Sequence, residues 1–151
     1  MSVKELITVP DDILRKISEP LNKVGLNEKK LIKDLFETMY HHNGIGLAAV
    51  QVGILKRIIV LDVSKNENEK KPLCFINPQI NKVSEKMSRY EEGCLSIPNT
   101  FIEIERPEIC IVSYINENGD KKKMECDGLL STCLQHEINH LDGKLIIDYL
   151  S

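Results

Sequence analysis

The stretch "QHEINHLDG", Gln135 to Gly143, constrains this chain more than any other part of it. A His-Glu-x-x-His spacing acquires chemical meaning on a helix. There His136 and His140 stand one turn apart on one face, close enough to reach a single ion, with Glu137 on the flank. The neighbouring letters agree with a helix. Asp127 and Gly128 offer a start, Leu129, Leu130, Cys133 and Leu134 an apolar face, and Gly143 a stop. Two histidines that only pack or meet solvent would give the same letters, so the rest of the chain must decide between the readings.

Upstream, "PDDILRKIS" reads as a short helix opened by Pro10 and Asp11. "NEKKLIKDLFETMYHHNG" reads as a longer one, capped by Asn27, with Leu31, Leu35 and Met39 inward and Gly44 as its stop. The runs "RIIVLDV", "LCFINPQI", "FIEIE" and "ICIVSYI" are strand candidates, the last turning at Gly119 into "KKKMEC". Helices at both ends and strands between predict an α+β fold, with mainly antiparallel sheets packed around the C-terminal helix that carries the histidines.

With 151 residues, 42% of them hydrophobic and 28% charged, the chain is expected to form a single domain over residues 1–151. The polar run from Ser64 to Pro72 is too short for an interdomain linker. No apolar stretch has the length of a signal or a membrane span, since Lys56 and Arg57 interrupt the longest one, and a cytosolic location is expected. The five cysteines include no Cys-x-x-Cys pair, so reduced thiols are the default. Net charge is −3, and the one tight basic run, Lys121 to Lys123, reads as a solvated strand face and not a nucleic-acid site.

A catalytic zinc-type site keeps three protein ligands, so His136 and His140 need a partner. Only eleven residues follow His140; none is Glu or His, and Ile146 fills the slot of an extended motif's third histidine. The partner must lie upstream. His41 and His42 fall in the last turn of a helix, whose negative end suits them without any metal. Cys74 and Cys110 sit in apolar strand runs as small core residues, Cys126 stands at the mouth of the last helix, and Cys133 shares the face of His136. Cys94 differs, lying in "YEEGCLSIPNT" between a glycine and a Ser-Ile-Pro turn, where burial in a regular strand explains it poorly. These candidates remain open on the residues alone.

Three segments together, "GIGLAAVQVG" (Gly44 to Gly53), "EGCLSIP" (Glu92 to Pro98) and "QHEINHLDG", resemble in order and spacing the signature motifs of the bacterial-type peptide deformylases. The similarity runs on through "ITVPDDILRKIS" and "CDGLL" and so covers nearly the whole chain. The resemblance implies that Cys94, His136 and His140 hold one divalent ion, iron(II) in the cell, with zinc, nickel or cobalt also suited to the donors. It implies Glu137 as the proton-handling carboxylate, with Gln51 and the backbone N–H of Leu95 as donors to the reacting oxygen. It also implies Ile45, Gly46, Leu129, Thr132 and Cys133 as the lining of a side-chain pocket, and Glu92 and Arg106 as supports of the ligands. The implied activity is removal of the N-formyl group from the initiator methionine of new polypeptides. The implied partners are those N-formylmethionyl chains, with transient ribosome association.

Some letters depart from the family pattern. Val50 stands where proline is frequent, Asn139 where aspartate is usual, and Phe101 where many members carry arginine. The sequence ends at "DYLS", without the further helix of longer members. Gly44 to Ala49 also matches Gly-x-Gly-x-x-Ala, but that fingerprint must follow a strand and this one follows a helix. Two other functions stay in view: a metallopeptidase using the bare histidine motif, and a metal-stabilised binding protein, which would have no need of Gln51 and Glu137.

Overall fold

The computed structural model describes residues 2–65 and 67–150. Helix α1 (Leu26–His41) buries Leu31, Ile32, Leu35 and Met39, the helical spacing expected. Its cap is Gly25 and not Asn27, because the Glu28 side chain turns back to accept the Gly25 N–H at 2.8 Å. The chain leaves α1 at Asn43, whose φ is 57°, and the Gly44 N–H donates to Met39 O at 2.9 Å.

The strands follow as β1 (Gly46–Ala48), β2 (Ile58–Leu61), β3 (Leu73–Val83), β4 (Met87–Cys94), β5 (Ile97–Pro107), β6 (Ile109–Ile115) and β7 (Lys121–Asp127). A five-stranded antiparallel sheet runs β1-β2-β3-β6-β7, and β4 and β5 form a separate hairpin sheet. Helix α2 (Gly128–Leu141) follows, carrying the His-Glu-x-x-His residues. The expected α+β class holds.

Burial explains β2. All four residues of β2 have no exposed surface because both faces of the sheet are covered: Ile58 and Val60 meet α1, while Ile59 and Leu61 face the cluster of Leu134 and Leu141 from α2. A third cluster joins the hairpin residues Ile97 and Ile104 to Leu14, Leu145 and Ile146. The helix expected over residues 10–18 is only a 3-10 turn, Asp12–Arg15, capped by the Asp11 carboxylate on the Ile13 N–H at 3.0 Å. The apolar contacts stop after one turn: Ile13 and Leu14 pack against the core, but Ile17, which would have to follow on the helix, is 69% exposed. Lys121 to Lys123 are exposed on the edge strand β7, as expected of a solvated face that discourages strand addition.

Asp62, at the end of β2, ties the rim of the functional region to the sheet. Its N–H donates to Ile45 O at 2.9 Å, and its carboxylate accepts from Tyr40 Oη at 2.6 Å, Ser64 N at 2.9 Å and Lys71 N at 3.1 Å. Burial pushes this carboxyl up, but the donors of Ser64, Tyr40 and Lys71 outweigh it and hold its pKa below the ordinary value. A depressed folded value means stability present above the unfolded pKa of about 3.9 and lost as the pH falls through the folded one. Asp62→Asn is therefore expected to cost about 1 to 3 kcal/mol at pH 7 and progressively less below about pH 4. Urea unfolding of both proteins across that range checks it; a constant difference would show that the charge plays no part.

Candidate metal centre

Cys94 ends β4 at a register shift between Gly93 and Cys94, and the bulge turns its sulfur toward α2 instead of along the hairpin. Expected between a glycine and a turn, it is the last strand residue before the two-residue turn of Leu95 and Ser96. From α2, His136 and His140 project one turn apart with ring centroids 5.1 Å from each other. The donor atoms of Cys94, His136 and His140 lie within 4.8 Å of one another, and Cys94 Sγ is 3.2 Å from His140 Nε2.

The donor set suits a divalent ion. His136 Nδ1 lies 2.9 Å from Glu92 Oε1, a contact that orients the ring and turns Nε2 inward. Burial pulls the His136 imidazole down, yet Glu137, the Cys94 sulfur and Glu92 outweigh it and hold its pKa at about 10. His140, pressed by burial and by the charges of His136 and Arg106, falls well below the ordinary range. Negative groups thus surround a position that demands a cation, and a neutral imidazole stands ready beside it.

Glu137 is 5% exposed, and its Oε1 has no hydrogen-bond partner. Burial raises its pKa to about 7, with Glu92 adding to the rise against the opposing charges of His136 and Arg106. A buried carboxyl with one oxygen left without a hydrogen bond, and able to exchange a proton near neutrality, is costly for folding and useful for chemistry. Room for it is made opposite: a Cβ at Gly46 would stand 2.7 Å from Glu137 Oε2 and 2.7 Å from Leu61 Cδ2.

Gln51 is oriented by the backbone. Ala48 N–H donates to its Oε1 at 2.9 Å, so Nε2 points the other way, 3.1 Å from Ser96 Oγ and 3.6 Å from Cys94 Sγ. Ser96, fully buried, was not singled out from the sequence, although it stands inside the quoted "EGCLSIP". Ile45, Gly46, Gln51, Cys94, Leu95, Leu129, Thr132, Cys133, His136 and Glu137 all line one cavity of about 750 Å³. His140 is 1% exposed and does not line it. The Cys133 thiol is pushed up to about 12, first by burial and then by Glu137, which keeps it an inert part of the wall.

The other upstream candidates fall away. Cys74, Cys110 and Cys126 are in the core, while His41 and His42 are exposed and stack edge-on against each other, His42 reaching only the cavity rim. Glu92 and Arg106 are no surface pair: at 7% and 4% exposure they form a two-pronged bridge of 2.7 and 3.0 Å.

A family model described as polypeptide deformylase matches residues 3–151. A protein of Pelagibacter ubique named peptide deformylase is 53% identical over 151 residues, all of this chain and 88% of that relative. One of Rhizobium meliloti with the same name is 51% identical over all of this chain and 87% of the relative. The crystal structure of peptide deformylase from Ehrlichia chaffeensis superposes with a TM-score of 0.94 at 42% identity, covering 99% of this chain and 88% of that one.

Proposed function

Since the chain belongs to the polypeptide deformylase family, and with it to the hydrolases that remove the N-formyl group from newly made polypeptides, we propose which of its residues perform that reaction and how. The observation that carries the assignment is the meeting of Cys94, His136 and His140 at the wall of one cavity, beside Glu137, whose Oε1 has no hydrogen-bond partner. Residues 1–151 act as one catalytic domain.

Cys94, His136 and His140 hold a single divalent ion, iron(II) in the cell, with zinc, nickel or cobalt as substitutes that the thiolate and imidazole donors also accept. When bound there, the ion would supply Lewis acidity, lowering the pKa of water toward neutrality. Glu137 accepts the proton of the attacking water and then delivers it to the leaving nitrogen, general base and general acid in turn. A C–O bond forms, the formyl C–N bond breaks, and formate and a free amine leave.

As negative charge grows on the formyl oxygen, Gln51 Nε2, aimed by Ala48 N–H, and the Leu95 N–H donate to it. Each such donor contributes about 3 kcal/mol to a reaction of this kind. Ile45, Gly46, Leu129, Thr132 and Cys133 receive the methionine side chain in the same cavity. No helix among the described residues is long and apolar enough to cross a membrane. The enzyme works in the cytoplasm on emerging chains, with transient ribosome association and no direct nucleic-acid contact.

The test is a comparison of acyl groups. Formyl-Met peptides are expected to be cleaved about 10- to 200-fold faster than acetyl-Met peptides, because one added methyl must fit beside Gly46 and Glu137 where space is scarce. Equal rates would remove the reading, and cleavage of peptides without a formyl group would point to a metallopeptidase.

A further inference from the structure

We propose that Tyr149 is a positioning residue for the metal centre, acting through Arg106 and Glu92 on the ring of His136. The proposal rests on His136 being a ligand. Tyr149 belongs to the 3-10 turn Ile146–Tyr149 that follows α2, and no spacing rule connects it with a site built around residues 94 and 136.

The connection is a chain of short contacts. His136 Nδ1 meets Glu92 Oε1; Arg106 Nε and Nη2 hold both oxygens of Glu92; and the remaining Arg106 nitrogen, Nη1, donates to Asn139 Oδ1 at 2.8 Å and to Tyr149 Oη at 3.1 Å. The Tyr149 ring lies over the guanidinium, 5.0 Å from centroid to Cζ. Tyr149 is 48% exposed whereas Arg106 is 4% exposed, so the phenol is the lid that separates a buried cation from water. With that lid gone, Arg106 is hydrated, its grip on Glu92 loosens, and the carboxylate that orients the His136 ring is free to turn.

Asn139 gives Tyr149 its weight. A carboxylate at this position would compete with Glu92 for the Arg106 charge and hold Nη1 strongly by itself; the neutral amide oxygen does neither. The guanidinium charge is thereby committed to Glu92, and Nη1 depends on the phenol as its second acceptor. The turn itself does not depend on Tyr149. Leu145 and Ile146 are buried in the third cluster, and the Asp148 carboxylate accepts from Leu145 N at 3.0 Å and from Arg15 Nη1 at 2.7 Å.

The experiment follows cobalt(II) loaded into the full chain, reading its thiolate and ligand-field absorption bands and its rate of loss to excess chelator. Tyr149→Leu is expected to shift the bands and lose cobalt about tenfold faster, the low end for loss of a ligand's support. Tyr149→Phe, which keeps the ring and lacks the hydroxyl, should fall between Tyr149→Leu and the natural protein. Leu150→Ala, an exposed change in the same segment, should match the natural protein. In an Arg106→Leu background, or Arg106→Lys if that variant does not fold, Tyr149→Leu should add little. Unchanged cobalt loss in Tyr149→Leu, equal acceleration in Leu150→Ala, or a full Tyr149 effect without Arg106 each overturns the proposal. If the natural protein shows no thiolate band, the ligand assignment falls with it; if it shows the band and Tyr149→Leu is silent, only the positioning role falls.

Discussion

Glu137→Gln is expected to keep its metal and to lose about two to four powers of ten in turnover, the usual contribution of a general base. The substitution keeps the shape of the side chain, and the donor atoms that gather within 4.8 Å of one another among the described residues are those of Cys94, His136 and His140, without Glu137. What disappears is the group able to take a proton from water and return it to nitrogen. The decisive measurement is metal content and rate on one preparation. A variant that loses its ion would make Glu137 a ligand or a support for one. A variant that keeps both ion and near-normal rate would assign the proton to another group, and the proposed mechanism would be wrong.

For Cys94→Ala the expected result is loss of both metal and activity, since one of three donors is removed and the two histidines cannot complete the set. The contrast lies in Cys74→Ala and Cys110→Ala. Both are buried among apolar strand residues, so each should cost only about 1 to 2 kcal/mol of stability and leave metal content unchanged. Full metal occupancy in Cys94→Ala would place the third donor elsewhere, and His42, which reaches the rim of the same cavity, would be the first to test.

The histidines were legible because helical spacing is a local property, and a helix places His136 and His140 together whatever lies around it. The apolar strands β2, β3 and β6 were legible for the same reason. The strand β4 was not, because its partly or fully buried positions are Ser88, Tyr90, Glu92 and Cys94. A glutamate counts as an inward residue only once Arg106 and His136 are in place to receive it, and both come from other elements. The strand β1 has three residues, too few to show any period. The short helix expected near the start failed because its apolar contacts, Ile13 and Leu14, fill one turn and Ile17 is exposed. Tyr149 was invisible for a further reason: it meets Arg106 across 43 positions of chain, and no spacing rule covers such a pairing.

The division of the three proposed ligands between the hairpin and α2 bears on how the enzyme is made. Cys94 emerges from synthesis well before its partners, and His140 is the last of the three to appear. A growing chain that has not yet reached His140 offers two donors at most, and even these are not aimed until the hairpin and the helix have met. On the proposed assignment, metal capture therefore belongs to the folded molecule and not to its birth, and the ion taken up depends on which ions surround the completed fold.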